Sequence, residues 1–105
     1  MQTVFEVFHY IVDDDPYGTD YEMSLGVSAT LKEASDFIKE AFKQRDNHPC
    51  AYLVDVPGEQ RGVIIRELKL GMFGFNTREG NDNAVAVYNW RGQRLEKEQV
   101  PFYQL

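Results

Sequence analysis

One segment of this chain has the pattern of an amphipathic helix, and the segments before and after it have the patterns of β-strands. Apolar residues recur at helical spacing from Leu31 to about Arg45, which predicts a helix with one apolar face. The stripe consists of Leu31, Ala34, Phe37, Ile38, Ala41 and Phe42. Thr30 is predicted to cap this helix, with Glu33 completing a Thr-x-x-Glu capping box. A lone helix among strands limits the fold to a helix packed on a sheet.

Runs rich in Val, Ile, Phe and Tyr predict the strands. They are Thr3–Val12, Glu22–Val27, Ala51–Val56, Gly62–Leu70 with a possible continuation through Phe75, and Ala84–Trp90. Both faces of the first strand are mostly apolar, so we expect it at the centre of the sheet, with the second strand returning antiparallel to it. The last two strands are expected to pair as a hairpin. The sequence therefore predicts a single α+β domain over residues 1–105, with one amphipathic helix on a largely antiparallel sheet of about five strands.

Negative charge is concentrated at one place in the chain. Six carboxylates precede Lys32, the first basic residue, and the 11 carboxylates after them balance the 11 lysines and arginines. The net charge of −6 therefore belongs to the part of the chain before Lys32. Five of the six carboxylates lie in Asp13–Glu22, which we call the acidic segment, together with Tyr17 and Tyr21. Such a cluster predicts electrostatic docking of a cationic partner; the alternative is that it serves only solubility.

Composition also argues against several classes of function. A pI near 4.8 argues against direct nucleic-acid binding and against anionic membrane surfaces, because both depend on protein cations. The single cysteine, Cys50, excludes an internal disulfide and fits a reducing compartment. Met1–Val12 lacks the basic start of a signal peptide, and no apolar run approaches the roughly 18 residues of a membrane helix. We expect a soluble cytoplasmic protein.

Histidine, cysteine and carboxylate positions match no established catalytic or metal site. His9 falls on an apolar strand face, which favours a structural role. A structural zinc site needs four nitrogen or sulfur ligands, and His48 and Cys50 belong to a chain with two histidines and one cysteine. A calcium-binding loop that started at Asp13 would need ligand side chains at its fifth and twelfth positions, and these positions hold Tyr17 and Ser24. We expect no enzymatic activity, no cofactor and no metal.

Two resemblances to known proteins follow from these features. The stretch Val4–Tyr10, followed by Leu25-Gly26-Val27 and Thr30-x-x-Glu33-Ala34, resembles the first half of small uncharacterised bacterial domains and implies no activity. As an acidic, cysteine-poor, single-domain α+β chain, the protein also resembles immunity proteins of contact-dependent and other polymorphic toxin systems. That second resemblance rests on size, charge and layout, so it assigns no residue a role. It implies a cytosolic protein that masks one cognate toxin, commonly a cationic nuclease.

The leading hypothesis is a non-enzymatic binding protein, most specifically an immunity-type inhibitor of a basic toxin domain. Its carboxylates would take the place of the phosphates that a nuclease expects, and tyrosines would anchor the complex. The expected partner-binding residues are Asp13, Asp14, Asp15, Tyr17, Asp20, Tyr21 and Glu22.

Three alternatives remain open at this point. The exposed helix face could be the binding surface instead of the acidic segment. The chain could be a small enzyme or ligand-binding domain with a pocket between helix and sheet, using His9 with Tyr10 or Tyr52. It could also be a phage-type inhibitor that mimics DNA.

Overall fold

Four antiparallel strands form one open sheet, and one helix packs against it. The computed structural model describes residues 2–13, 21–44, 54, 56–70 and 84–96. The strands are β1 (Thr3–Asp13), β2 (Tyr21–Ser28), β3 (Glu59–Lys69) and β4 (Ala84–Asn89), and the helix α1 is Leu31–Lys43. Their order in the sheet is β2-β1-β3-β4, and each neighbouring pair is antiparallel. The predicted α+β class is confirmed, as are the β1–β2 and β3–β4 pairings.

The described part of the sheet has four strands, where the sequence predicts about five. Val54 and Val56 are the described residues of the predicted strand Ala51–Val56, and neither belongs to a strand. The rest of that segment lies outside the described residues, and so does the possible continuation of β3 through Phe75. Two valines in an apolar run satisfied the strand pattern, but strand formation also requires a neighbour to pair with.

The start of β3 is set by a tight turn. The backbone N–H of Glu59 donates to the Val56 carbonyl oxygen at 3.1 Å, and Gly58 has a φ of +81°, which favours glycine. Pro57 and Gly58 therefore form a tight turn. It leads directly into β3, so the strand begins earlier than the predicted Gly62.

β1 lies between β2 and β3, as its two apolar faces predict. Side chains alternate along the strand, so we call the side covered by α1 the helix face and the other side the far face. On the helix face, apolar strand residues pack against the helix stripe in one cluster: Val7, Val63, Ile65 and Ala86 with Ala34, Ile38 and Ala41. A second buried cluster on the far face consists of Tyr10, Ile64, Ala84 and Val87.

The far face depends on a glycine opposite Tyr10. Gly62 pairs with Tyr10 across β1 and β3, and a Cβ at Gly62 would stand 1.9 Å from the Tyr88 carbonyl oxygen. The same Cβ would stand 2.6 Å from the Tyr10 hydroxyl oxygen. Without a side chain there, the Tyr10 hydroxyl lies over Gly62 and donates to the Tyr88 carbonyl at 3.2 Å. Burial raises the pKa of Tyr10, so the hydroxyl keeps the proton that it donates.

α1 begins at the predicted cap. The Glu33 backbone N–H donates to the Thr30 hydroxyl oxygen at 3.1 Å, and that hydroxyl lies 3.3 Å from the Glu33 carboxylate. This satisfies one of the orphan donors of the first turn. The helix ends at Lys43, close to the predicted end. The helix face opposite the apolar stripe, which we call the wet face, is exposed. It consists of Lys32, Asp36, Lys39, Glu40 and Lys43.

Replacing Ile38 by alanine should destabilise the protein by about 2–5 kcal/mol, because its side chain is 3% exposed within the helix-face cluster. Lys39→Ala is the matched control on the wet face and should change the free energy of unfolding by less than about 0.5 kcal/mol. Urea denaturation of both variants measures the difference. Equal midpoints for the two would show that α1 does not pack on the sheet.

Candidate partner-binding surface

The acidic segment joins two neighbouring strands at one end of the sheet. Ile11 of β1 pairs with Tyr21 of β2, so the chain between them starts and ends at adjacent positions. Asp13, the last residue of β1, lies directly opposite Glu59 of β3. Both ends of the acidic segment are therefore held at this end of the sheet, where Glu59 is paired with Arg61 at 2.7 Å.

The predicted partner-binding residues divide into three groups. Asp14, Asp15, Tyr17 and Asp20 lie outside the described residues. Asp13 is half-buried at the end of β1, and Tyr21 is 48% exposed at the start of β2. An exposed tyrosine beside carboxylates suits a protein contact, since its ring buries apolar area while its hydroxyl stays hydrated. Glu22 takes part in a different contact, described next.

The Glu22 side chain forms a buried ion pair on the far face. Its carboxylate accepts a hydrogen bond from the Arg66 guanidinium at 2.9 Å, and the two side chains are 9% and 1% exposed. The Arg66 guanidinium carbon also lies 5.8 Å from the centroid of the Phe8 ring. Phe8 belongs to β1, so the pair spans the central strand and connects β3 to β2. Glu22 therefore serves the fold rather than presenting a charge to solvent.

Arg66 is a structurally important residue that the sequence patterns above did not single out. Strand alternation places it on the same face as the buried Ile64, two residues earlier, so the pattern Ile64-x-Arg66 is the signal for a buried arginine. A buried guanidinium is found with a carboxylate partner, because an unpaired charge in a low-dielectric interior is very unfavourable. The identity of that partner could not be read locally, since Glu22 lies 44 residues away in sequence.

The ion pair predicts an asymmetric response to mutation. Arg66→Met should destabilise the protein by about 3–5 kcal/mol, because it takes the guanidinium away from the buried Glu22 carboxylate. The double variant Arg66→Met/Glu22→Leu should recover much of that loss, since no buried charge remains. Free energies of unfolding from denaturant melts of the two variants test this. A double variant less stable than Arg66→Met would contradict the explanation.

A depression lies on the helix face at the same end of the sheet. Its volume is about 380 Å³, and it is lined by His9, Ile11, Tyr21 and Met23. The His9 and Tyr21 rings meet edge to face, with centroids 6.3 Å apart and an interplanar angle of 75°. Ile11 and Met23 supply apolar walls. The depression can therefore hold an apolar or aromatic group next to the acidic segment.

His9 is kept neutral by its surroundings. The residue is 1% exposed, and burial lowers its pKa, with the nearby Arg61 cation lowering it further. Arg61 itself donates to the Glu59 carboxylate at 2.7 and 2.9 Å. The wall that His9 forms is therefore uncharged near neutral pH.

His9 and Tyr10, one of the two pairs considered for an enzyme site, do not come together. His9 lies on the helix face of the sheet. Its neighbour Tyr10 lies on the far face, where the Tyr10 hydroxyl donates a hydrogen bond to the Tyr88 carbonyl oxygen. Tyr52 lies outside the described residues, as do His48 and Cys50. Among the residues that are described, no group of three histidine, cysteine or acidic side chains is placed to hold a metal ion.

The lowered pKa of His9 predicts a pH-dependent stability. In the unfolded chain His9 takes up a proton near pH 6.5, whereas in the folded protein its pKa is lower. Neutral His9 therefore contributes its full stability above pH 6.5, and that stability is lost as the pH falls below this value. The melting temperature should therefore drop between pH 7.5 and 5.5, a range chosen to lie above ordinary carboxylate titration. His9→Gln should flatten that drop, and His48→Gln should preserve it. Thermal melts at both pH values test this. If the melting temperature falls by the same amount in wild type and in His9→Gln, the explanation is refuted.

No helix in the described part of the chain is long and apolar enough to cross a membrane. Comparisons with protein-family models, with curated proteins and with solved structures find no match to this chain.

Proposed function

We propose that this chain is a non-enzymatic binding protein of the cytoplasm, most specifically an immunity-type inhibitor that neutralises a basic toxin domain such as a nuclease. The observation that carries the proposal is the position of the acidic segment. The β1–β2 pairing brings its two ends together at one end of the sheet, where Asp13 and Glu59 lie opposite each other and Tyr21 is exposed. A cationic surface that contacts Tyr21 would therefore lie beside both ends of the acidic segment.

The contacts assign different tasks to neighbouring groups. The aspartates of the segment supply long-range attraction, which raises the rate of encounter more than the affinity. Tyr21 and the adjoining depression supply apolar area, which lowers the rate of dissociation. Glu22 is excluded from direct contact by its ion pair with Arg66. The proposed partner-binding residues are therefore Asp13, Asp14, Asp15, Tyr17, Asp20 and Tyr21.

The outer face of α1 is less suited to a cationic partner than the acidic segment. It carries lysines and carboxylates in alternation, and Lys32 pairs with Asp36 at 2.7 Å with both side chains exposed. Exposed pairs of this kind contribute little to stability, and their charges largely cancel at a distance. A cationic partner would find little net attraction there.

Changing Asp13, Asp14, Asp15 and Asp20 together to asparagine should slow association with a basic partner protein co-purified from the native host. Steering of this kind raises association rates by about ten-fold to a thousand-fold and weakens as salt shortens the screening length. The wild-type on-rate should therefore fall with added salt, and the variant should be slower and nearly insensitive to salt. Surface plasmon resonance measures both.

A matched pair of double variants controls for net charge. Asp14→Asn/Asp15→Asn and Asp36→Asn/Glu40→Gln each remove two negative charges, but only the first pair belongs to the acidic segment. The first should slow association and the second should leave it nearly unchanged. If both slow it equally, overall charge is responsible and the acidic segment is not the docking surface.

A further inference from the structure

The two edges of the sheet are treated differently. The outer edge of β4 is covered by the turn that follows it: the Leu95 N–H donates to the Val87 carbonyl at 2.8 Å, and the Asn89 N–H donates to the Gln93 carbonyl at 2.9 Å. Tyr88 also forms a bridge with Arg94. Along β2, by contrast, no residue in the described ranges pairs with the outer edge. Alternate backbone N–H and C=O groups of that strand point outward.

β2 lacks the lysine and proline residues that often protect an exposed edge, and its protection is limited to an inward-turned charge and one bulge. Its sequence, Tyr-Glu-Met-Ser-Leu-Gly-Val-Ser, has no lysine, no arginine and no proline, and its one charged side chain is turned inward to Arg66. Charges and prolines are the common means of preventing strand addition. The strand has one bulge, at Leu25, which leaves a short regular stretch on each side. An added segment would therefore be short.

Exposed apolar residues collect along this edge. The large hydrophobic residues most exposed in the described part of the chain are Tyr21, Val27, Leu31, Val54 and Leu70. Tyr21 and Val27 belong to β2, and Leu31 begins the helix that follows it. Val27 is 60% exposed. An unpaired strand edge lined with apolar side chains is a surface suited to an extended segment of another protein.

Two depressions on the helix face border this strand. The first is the 380 Å³ depression around Met23 and Tyr21. The second, of about 180 Å³, lies between the Leu25–Ser28 part of β2 and the helix residues Glu33, Ala34 and Phe37. The bulge at Leu25 separates them: the first borders the regular stretch Tyr21–Ser24 and the second the stretch after the bulge.

We propose that β2 accepts an extended segment of the cationic partner as an added antiparallel strand, with apolar side chains of that segment packing into these depressions. The proposal rests on the proposed function for the charge of the partner. Backbone hydrogen bonds would supply affinity that does not depend on sequence, and the depressions would select the side chains.

Charge fixes the occupant and its direction. In antiparallel addition, the C-terminal end of the segment lies beside Tyr21, at the end where the acidic segment meets β2. Basic residues are therefore expected at the C-terminal end of the segment. A second copy of this chain fits poorly, because it has a net charge of −6 and its own β2 has no basic residue to present.

A peptide library tests the proposal with the full chain. Octapeptides of the form X-Thr-X-Thr-X-Thr-Lys-Lys, with X varied among apolar residues, are selected for binding at low salt. The alternating X positions place apolar side chains on one face of an added strand. Methylation of alternate backbone nitrogens in a selected peptide should weaken binding about tenfold or more, because it removes donors to β2. The amide protons of β2 should exchange more slowly in the complex.

The outcomes separate this proposal from the proposed function. Unchanged binding of the N-methylated peptide, or a library from which no peptide is enriched, overturns strand addition. Replacing the two lysines by glutamates tests the charge: equal affinity of the two peptides would contradict cationic docking while strand addition stands. On the protein side, Val27→Asn should weaken binding of the selected peptide. Leu70→Asn is the matched control, because Leu70 follows β3 directly and is 50% exposed, and it should leave binding unchanged. Equal effects of both substitutions would also overturn the proposal.

Discussion

A buried arginine on the far face of the sheet constrains the surface that the protein can offer. Arg66 is fully buried, and a guanidinium in that position requires a carboxylate within hydrogen-bonding distance. Glu22 supplies it from two strands away, over the Phe8 ring. The start of β2 is thereby held to the sheet at Glu22, the last residue of the acidic segment. The segment gains a fixed end, and Tyr21, next to that fixed point, gains a fixed position on the opposite face.

Local features of the sequence predicted local features of the structure. The cap at Thr30 and the stripe through Ile38 are encoded within a few residues, and both are present as expected. The ion pair between Glu22 and Arg66 depends on β1 lying between β2 and β3, and no short-range pattern states that order. The same limit applies to the depression beside His9, whose lining comes from two strands. The fold class was therefore predictable, whereas the surface around Tyr21 required the register of the sheet.

The alternation of β1 explains why a histidine next to a tyrosine does not make a catalytic pair. His9 and Tyr10 are adjacent in sequence, but strand geometry sends their side chains to opposite faces. Each is then placed among apolar residues, and burial shifts the pKa of each in favour of its neutral form. A general acid or base needs a pKa near the working pH and a reacting group within reach. Tyr10 instead donates to a backbone carbonyl over Gly62, which is a structural use of its hydroxyl.

The acidic segment begins and ends beside exposed apolar area at one end of the sheet, and we interpret that arrangement as favouring the proposed docking role over solubility alone. A segment that served only to keep the protein soluble would work equally well beside any surface. Here it adjoins the outer edge of β2, with which none of the described residues pairs, next to exposed Tyr21 and a depression whose histidine wall is neutral. Attraction over a distance of a Debye length, about 10 Å, brings a cation to that end of the sheet. In the proposed complex, short-range contacts along β2 would then hold the partner, so the two features would act one after the other on it.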